Sequence, residues 1–110
     1  MKEHIYYVYM VQSISRRALY IGMTSKLDRR IFQHKTHRFR GFTDDYNATR
    51  LVYIERYSEV SAAITREKQL KRWRREKKEW LIAQKNPHWK DLASEWFPHL
   101  CEETKGPSTP

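Results

Sequence analysis

One cysteine, Cys101, is all this chain carries, which excludes an internal disulfide and any zinc site built on several thiolates. It sits near a polar C-terminal stretch with no dedicated activating base in its own segment, so it is a poor candidate nucleophile. A reducing, cytoplasmic setting is expected. No apolar run approaches the roughly 20 residues that span a bilayer. The opening Met-Lys-Glu-His leads into an apolar-aromatic run too short and too rich in tyrosine for a secretory signal, so a soluble chain is expected. No internal repeat and no linker divides the sequence. Acidic side chains are outnumbered, 13 against 22 lysines and arginines, giving a net charge of +9 and an isoelectric point near 9.8. That balance favours a polyanionic partner, nucleic acid ahead of an anionic membrane. With 110 residues, 39% hydrophobic and 14% aromatic, there is material for one modest core and not for two.

Ile5 to Val11 is β-branched and aromatic, with Tyr7, Tyr9 and Val11 on one face and Tyr6, Val8 and Met10 on the other, as in a strand. Ala18 to Ile21 resumes that character and ends at Gly22, so the two runs are expected to pair as an antiparallel hairpin. Thr24 and Ser25 offer helix caps, and Leu27 and Ile31 mark one face of a helix reaching about His37, with Arg30 and His34 one turn apart. Arg50 to Tyr57 reads as a third strand, and Ser58 and Ser61 offer caps for a helix after it. Between Ser61 and Lys85 there is neither proline nor glycine, and Ala62, Ala63, Leu70, Trp73, Trp80 and Leu81 recur at helical spacing, which predicts one long helix. Asn86-Pro87 should cap and start another, with Trp89, Leu92, Ala93 and Trp96 inward and Pro98 ending it. The expected fold is α+β, a small three-stranded antiparallel sheet flanked by helices in the order β-β-α-β-α-α. It forms a single domain over residues 1–100, followed by a disordered tail at 101–110.

Fourteen of the 22 lysines and arginines fall in two stretches, six from Lys26 to Arg40 and eight from Arg66 to Lys78. A charge run is ordinarily a solvated face, but the overall excess favours a surface that follows phosphates. Lys26, Arg29, Lys35, Lys71, Arg74 and Arg75 are the candidate nucleic-acid contacts. Such a patch does not distinguish binding from cutting, because backbone contacts carry little chemical information.

Chemistry is suggested by Tyr-Tyr-Val-Tyr at positions 6–9, Leu-Tyr-Ile-Gly-x-Thr-Ser at 19–25 and Arg-Glu-Lys-Gln-Leu-Lys-x-Trp-Arg-Arg at 66–75. Together these segments resemble the GIY-YIG nuclease family, in particular its short standalone bacterial members (UPF0213-like). Tyr20 lies eleven positions after Tyr9, Arg30 ten after that and His34 four further, which is the family's spacing. The likeness covers roughly residues 4 to 96. Where the family's first motif opens with glycine this chain has Tyr7, so spacing favours Tyr9 as the functional tyrosine with Tyr7 as the fallback.

Read without the family, Glu67 among Arg66, Lys68 and Lys71 would pair with a cation, Arg30 would be a surface arginine, His34 structural, and the tyrosines core. The resemblance implies more: a metal-dependent endonuclease, with Tyr9, Tyr20, Arg30, His34 and Glu67 as catalytic residues. Phosphodiester cleavage needs a deprotonated nucleophile, neutralisation of developing charge and stabilisation of the leaving group. Glu67 would hold Mg²⁺ or Mn²⁺, and Arg30 would clamp the phosphate. A tyrosine or His34 would handle the proton, cations nearby lowering a phenol's pKa. One clear carboxylate implies one metal. Tyr46 and Asn86 resemble further positions near the site, although Asn86 is also explained as a cap. DNA is expected ahead of RNA as substrate, in repair or recombination, with a homodimer or a specificity partner as accessories. The alternative is a non-catalytic nucleic-acid-binding module assisting a repair or recombination partner.

Overall fold

A computed structural model describes residues 4–13, 15–36 and 48–97. Three strands, β1 (Tyr6–Ser13), β2 (Leu19–Thr24) and β3 (Ala48–Tyr57), form an antiparallel sheet in the order β2-β1-β3, and the helices are α1 (Leu27–Thr36), α2 (Val60–Arg72) and α3 (Arg75–Lys85). The class and the element order are those the sequence predicts. As the central strand, β1 is covered on both faces, which is why Val8 to Ser13 are all buried. Val8 and Met10 meet Val52, Tyr53, Ala63, Leu70 and Ile82 on the side of α2 and α3. Tyr9 and Val11 meet Leu27, Ile31, Leu51 and Ala93 on the side of α1. The period of two in the strand thus divides the core into two layers.

Two helical expectations need correction. The single helix predicted from Ser61 to Lys85 is broken after Arg72, where Trp73 and Arg74 are extended. A continuous helix would stack Lys71, Arg74, Arg75 and Lys78 at three- and four-residue spacing, each such like-charge pair costing a few tenths of a kcal/mol. At the break, the half-buried Trp73 ring packs against the core with the Arg66 guanidinium and the Lys77 ammonium over it, at 5.2 and 4.2 Å from the ring centre. Nor does a seryl side chain cap α2: its N-cap is Glu59, and no side chain bonds there.

The segment after Asn86 is not a helix either. Asn86 closes α3 as expected but opens no new helix, and its buried amide donates to the carbonyls of Val52 and Lys90 while accepting from Lys90 N–H. Trp89 has a φ of 54°, which a right-handed helix cannot contain. The backbone here pairs with the outer edge of β3: Leu92 N–H donates to Leu51 O at 2.7 Å, and Asp91 Oδ1 accepts from Leu51 N–H and Ala93 N–H. An open strand edge takes the hydrogen bonds that a helix would have kept internal. Ala93 is buried as expected, but Leu92 and Trp96 are each 39% exposed.

Candidate active site

Gly22, expected to end the hairpin, lies inside β2 directly opposite Tyr9. A Cβ built there would stand 2.4 Å from the Tyr9 hydroxyl oxygen and 2.5 Å from Cζ, so the phenol occupies the space that any larger residue would fill. The glycine is required by its strand partner, a constraint that sequence reading assigns to turns more readily than to strand interiors.

Around that phenol two helices contribute charged and polar groups. Arg30 and His34 lie one turn apart on α1 and both face it. His34 Nε2 is 3.4 Å from the Tyr9 hydroxyl with the rings edge to face, and Arg30 favours the phenolate by charge and by hydrogen bonding. From α2, Glu67 falls on the stripe Ala63–Glu67–Leu70, whose two apolar members are fully buried, and its side chain is 21% exposed. Its negative charge acts on Tyr9. Beside it Arg66 is bound to Glu55 of β3, which also accepts hydrogen bonds from the Tyr53 and Tyr57 hydroxyls. That clamp fixes how α2 is rotated on the sheet, and sequence reading did not single it out.

Burial raises the Tyr9 pKa above its ordinary value, Arg30 pulling against this and Glu67 adding to it. Arg30 lowers the Tyr9 phenol's pKa as expected, by charge and by hydrogen bonding, but desolvation outweighs it. Burial, reinforced by Arg30, lowers the His34 pKa. Near neutral pH the pair is thus a protonated phenol beside an uncharged imidazole, and the phenol can donate to Nε2.

The remaining candidates occupy different places. Tyr20 is beside Gly22's position on the same face of β2, opposite Val11, and is 37% exposed. Tyr7 shares the Tyr9 face, opposite Thr24, and lines a cavity of about 500 Å³ with Lys26 and Trp96. Tyr46 lies outside the described residues. Asn86 is held in the α3 cap. Of the basic candidates, Lys26, Arg29, Lys71 and Arg74 are exposed. Lys35 pairs with Asp91 at 2.5 Å, Lys71 with Glu67 at 3.1 Å, and Arg75 with Glu79 and the carbonyls of Arg16 and Arg17.

Among the described residues no group of three or more histidines, cysteines and acids is gathered to cage a metal ion. Among the described residues Glu67 is the carboxylate whose charge acts on Tyr9, and its partner Lys71 is 54% exposed, a weak tie. That donor set fits a hard cation held by one carboxylate and completed by water and substrate phosphate, the manner in which Mg²⁺ is usually bound.

Comparison with known proteins gives one consistent answer. A family model of the GIY-YIG catalytic domain matches residues 5–80. A UPF0213 protein of Natronomonas pharaonis is 36% identical over 78 residues, 71% of this chain and 91% of that protein. Another, of Syntrophus aciditrophicus, is 32% identical over 82 residues, 74% of this chain and 92% of its own length. The solution structure of a UPF0213 protein from Bacillus halodurans superposes with a TM-score of 0.53 at 26% identity, covering 83% of this chain and 97% of that one.

Proposed function

This chain belongs to the GIY-YIG family, and from that premise we propose that it binds nucleic acid through its basic helices and hydrolyses a phosphodiester at the Tyr9 cluster. The observation that carries the reading is the meeting of Arg30 and His34 with the Tyr9 phenol, within reach of the charge of Glu67 on α2, from elements far apart in the chain. Arg30 offers a planar fork to the scissile phosphate and opposes the charge that builds on its oxygens. His34, uncharged because its pKa is lowered, is free to take a proton from an attacking water, directly or through the Tyr9 hydroxyl. Tyr9, kept protonated by its raised pKa, is a hydrogen-bonding relay between groups and offers little phenolate to act as a base. Glu67 would hold Mg²⁺ or Mn²⁺, which when bound supplies charge neutralisation at the leaving oxygen. DNA is the proposed substrate ahead of RNA.

A second reading, a nucleic-acid-binding module without chemistry of its own, is favoured by one observation. The described residues gather no group of three metal-ligating side chains. Labelled single-stranded, duplex and branched DNA, with RNA alongside, incubated with the protein in Mg²⁺, Mn²⁺ or EDTA, separate the two. Cleavage that EDTA and Glu67→Ala both abolish supports the nuclease. Binding without cleavage in every condition supports the module.

A further inference from the structure

Away from the Tyr9 cluster, a cavity of about 730 Å³ opens between the β1–β2 turn, the start of β3, α3 and the turn after Asn86. Its size lies within the usual range for small-molecule sites. Among the described residues two non-glycine positions have positive φ, Arg16 at 70° and Trp89 at 54°, and both line this one cavity. Such conformations are uncommon for arginine and a genuine outlier for a bulky aromatic, and they cluster where structure is held for a purpose. Arg75 holds the first in place, reaching from α3 to the carbonyls of Arg16 and Arg17.

The lining has a definite chemistry. Trp80, at 57% the most exposed of the large hydrophobic side chains among the described residues, offers an open ring face on α3, and Trp89 adds a second aromatic wall. Arg50 is aimed by Gln12, whose buried side-chain oxygen accepts from Arg50 Nη1 at 3.0 Å, and Arg16 stands at the rim. Glu79 is bound to Arg75, which leaves Glu76 as an acceptor suited to a base amino group. Aromatic faces beside fixed arginines are the means by which proteins hold unpaired nucleotides: the base stacks and the phosphate meets the cation.

We propose that this cavity is a second nucleic-acid site that takes an unpaired nucleotide, its base on Trp80 and Trp89 and its phosphate on Arg16 and Arg50. It deepens the proposed function and rests on the nucleic-acid part of that reading, not on cleavage. A strand held here would direct the protein toward single-stranded or branched substrates.

The test is fluorescence anisotropy in EDTA with a labelled oligothymidine strand and a blunt duplex, on the full chain and on Trp80→Ala, Trp80→Phe and Arg50→Ala. Circular dichroism checks each variant's fold. Trp80→Ala should weaken strand binding about 5- to 160-fold, from stacking worth roughly 1–3 kcal/mol per base, and leave duplex binding within about twofold. Trp80→Phe should restore most of the loss, and Arg50→Ala should flatten the salt dependence by about 0.7 in log–log slope. Equal strand affinity in wild type and Trp80→Ala overturns the site, as does an equal loss on strand and duplex. Wild type that binds strands but never cuts in Mg²⁺ overturns the nuclease reading while supporting this one. Wild type that binds no strand overturns this one.

Discussion

The ring of Tyr9 lies over the α-carbon of Gly22, so that a single added methyl group would stand 2.4 Å from the phenolic oxygen. Gly22→Ala must therefore move the ring, and the ring holds the hydrogen bond to His34. Overpacking of this kind costs about 1–3 kcal/mol. Misplacing a catalytic group by an ångström costs on the order of 100-fold in rate. Gly22→Ala should remain folded, with a lowered urea midpoint, and lose about 100-fold in cleavage. Unchanged cleavage would show that Tyr9 does not need this position.

His34 should leave a signature in stability against pH. Its folded pKa is depressed below the ordinary value of about 6.5. The unfolded chain therefore binds that proton more readily, and the contribution of His34 is complete above about 6.5 and lost as pH falls toward the folded value. Urea unfolding from about pH 5 to 8 should show stability rising with pH, and His34→Gln should flatten the rise. A curve that His34→Gln does not alter would mean that the imidazole is not held uncharged.

Lys35 and Asp91 form a largely buried pair, 17% and 22% exposed, and Asp91 also accepts the N–H groups of Leu51 and Ala93. Losing Asp91 strands two backbone donors and removes the carboxylate of an ion pair, so Asp91→Ala should cost roughly 2–4 kcal/mol. Lys35→Ala should likewise lower the urea midpoint, with little change in the salt slope of nucleic-acid binding. Lys26→Ala, on an exposed side chain, should do the reverse and reduce that slope by about one. The opposite pattern would return Lys35 to the nucleic-acid surface.

The strands and α1 are legible in the sequence because their signals are local: alternation through Tyr6–Val11, and Leu27 and Ile31 at helical spacing above Thr24 and Ser25. The candidate site is legible only as separate residues, since nothing in the intervals between Tyr9, Arg30, His34 and Glu67 says that they meet. The resemblance to a family supplies that. The features that escape are decided by distant partners. Gly22 answers to Tyr9 across the sheet. Residues 86–93 give up a helix to the open edge of β3. The break at Trp73 lies in a stretch with no proline or glycine, where charge crowding and an aromatic side chain do the work. The Glu55–Arg66 clamp joins a strand to a helix, and neither residue stands out alone.

That clamp yields the last prediction. Burial works to raise the Glu55 pKa, but the hydrogen bonds from Arg66, Tyr53 and Tyr57, with Arg66's charge, outweigh it and hold the carboxyl below its ordinary value. Burial and the same carboxylate push Tyr57 up to about 12 and Tyr53 further still. Ionised Glu55 therefore stabilises the fold above the ordinary carboxylate pKa, and the contribution is lost as pH falls through the lowered folded value. This window lies below that of His34, so the two can be separated: Glu55→Gln should remove the lower acid limb and His34→Gln the upper one. Glu55→Gln also leaves the Arg66 guanidinium, 22% exposed, without its counter-charge, at a cost of about 2–3 kcal/mol. Because Arg66 precedes Glu67, loosening the clamp lets α2 rotate and carries the Glu67 carboxylate away from Tyr9. Cleavage by Glu55→Gln, measured where it is still fully folded, should fall about tenfold or more. The fall should shrink when Mg²⁺ is raised, since extra metal compensates a poorly aimed ligand and cannot repair a lost base. Full activity in folded Glu55→Gln would confine the clamp to stability.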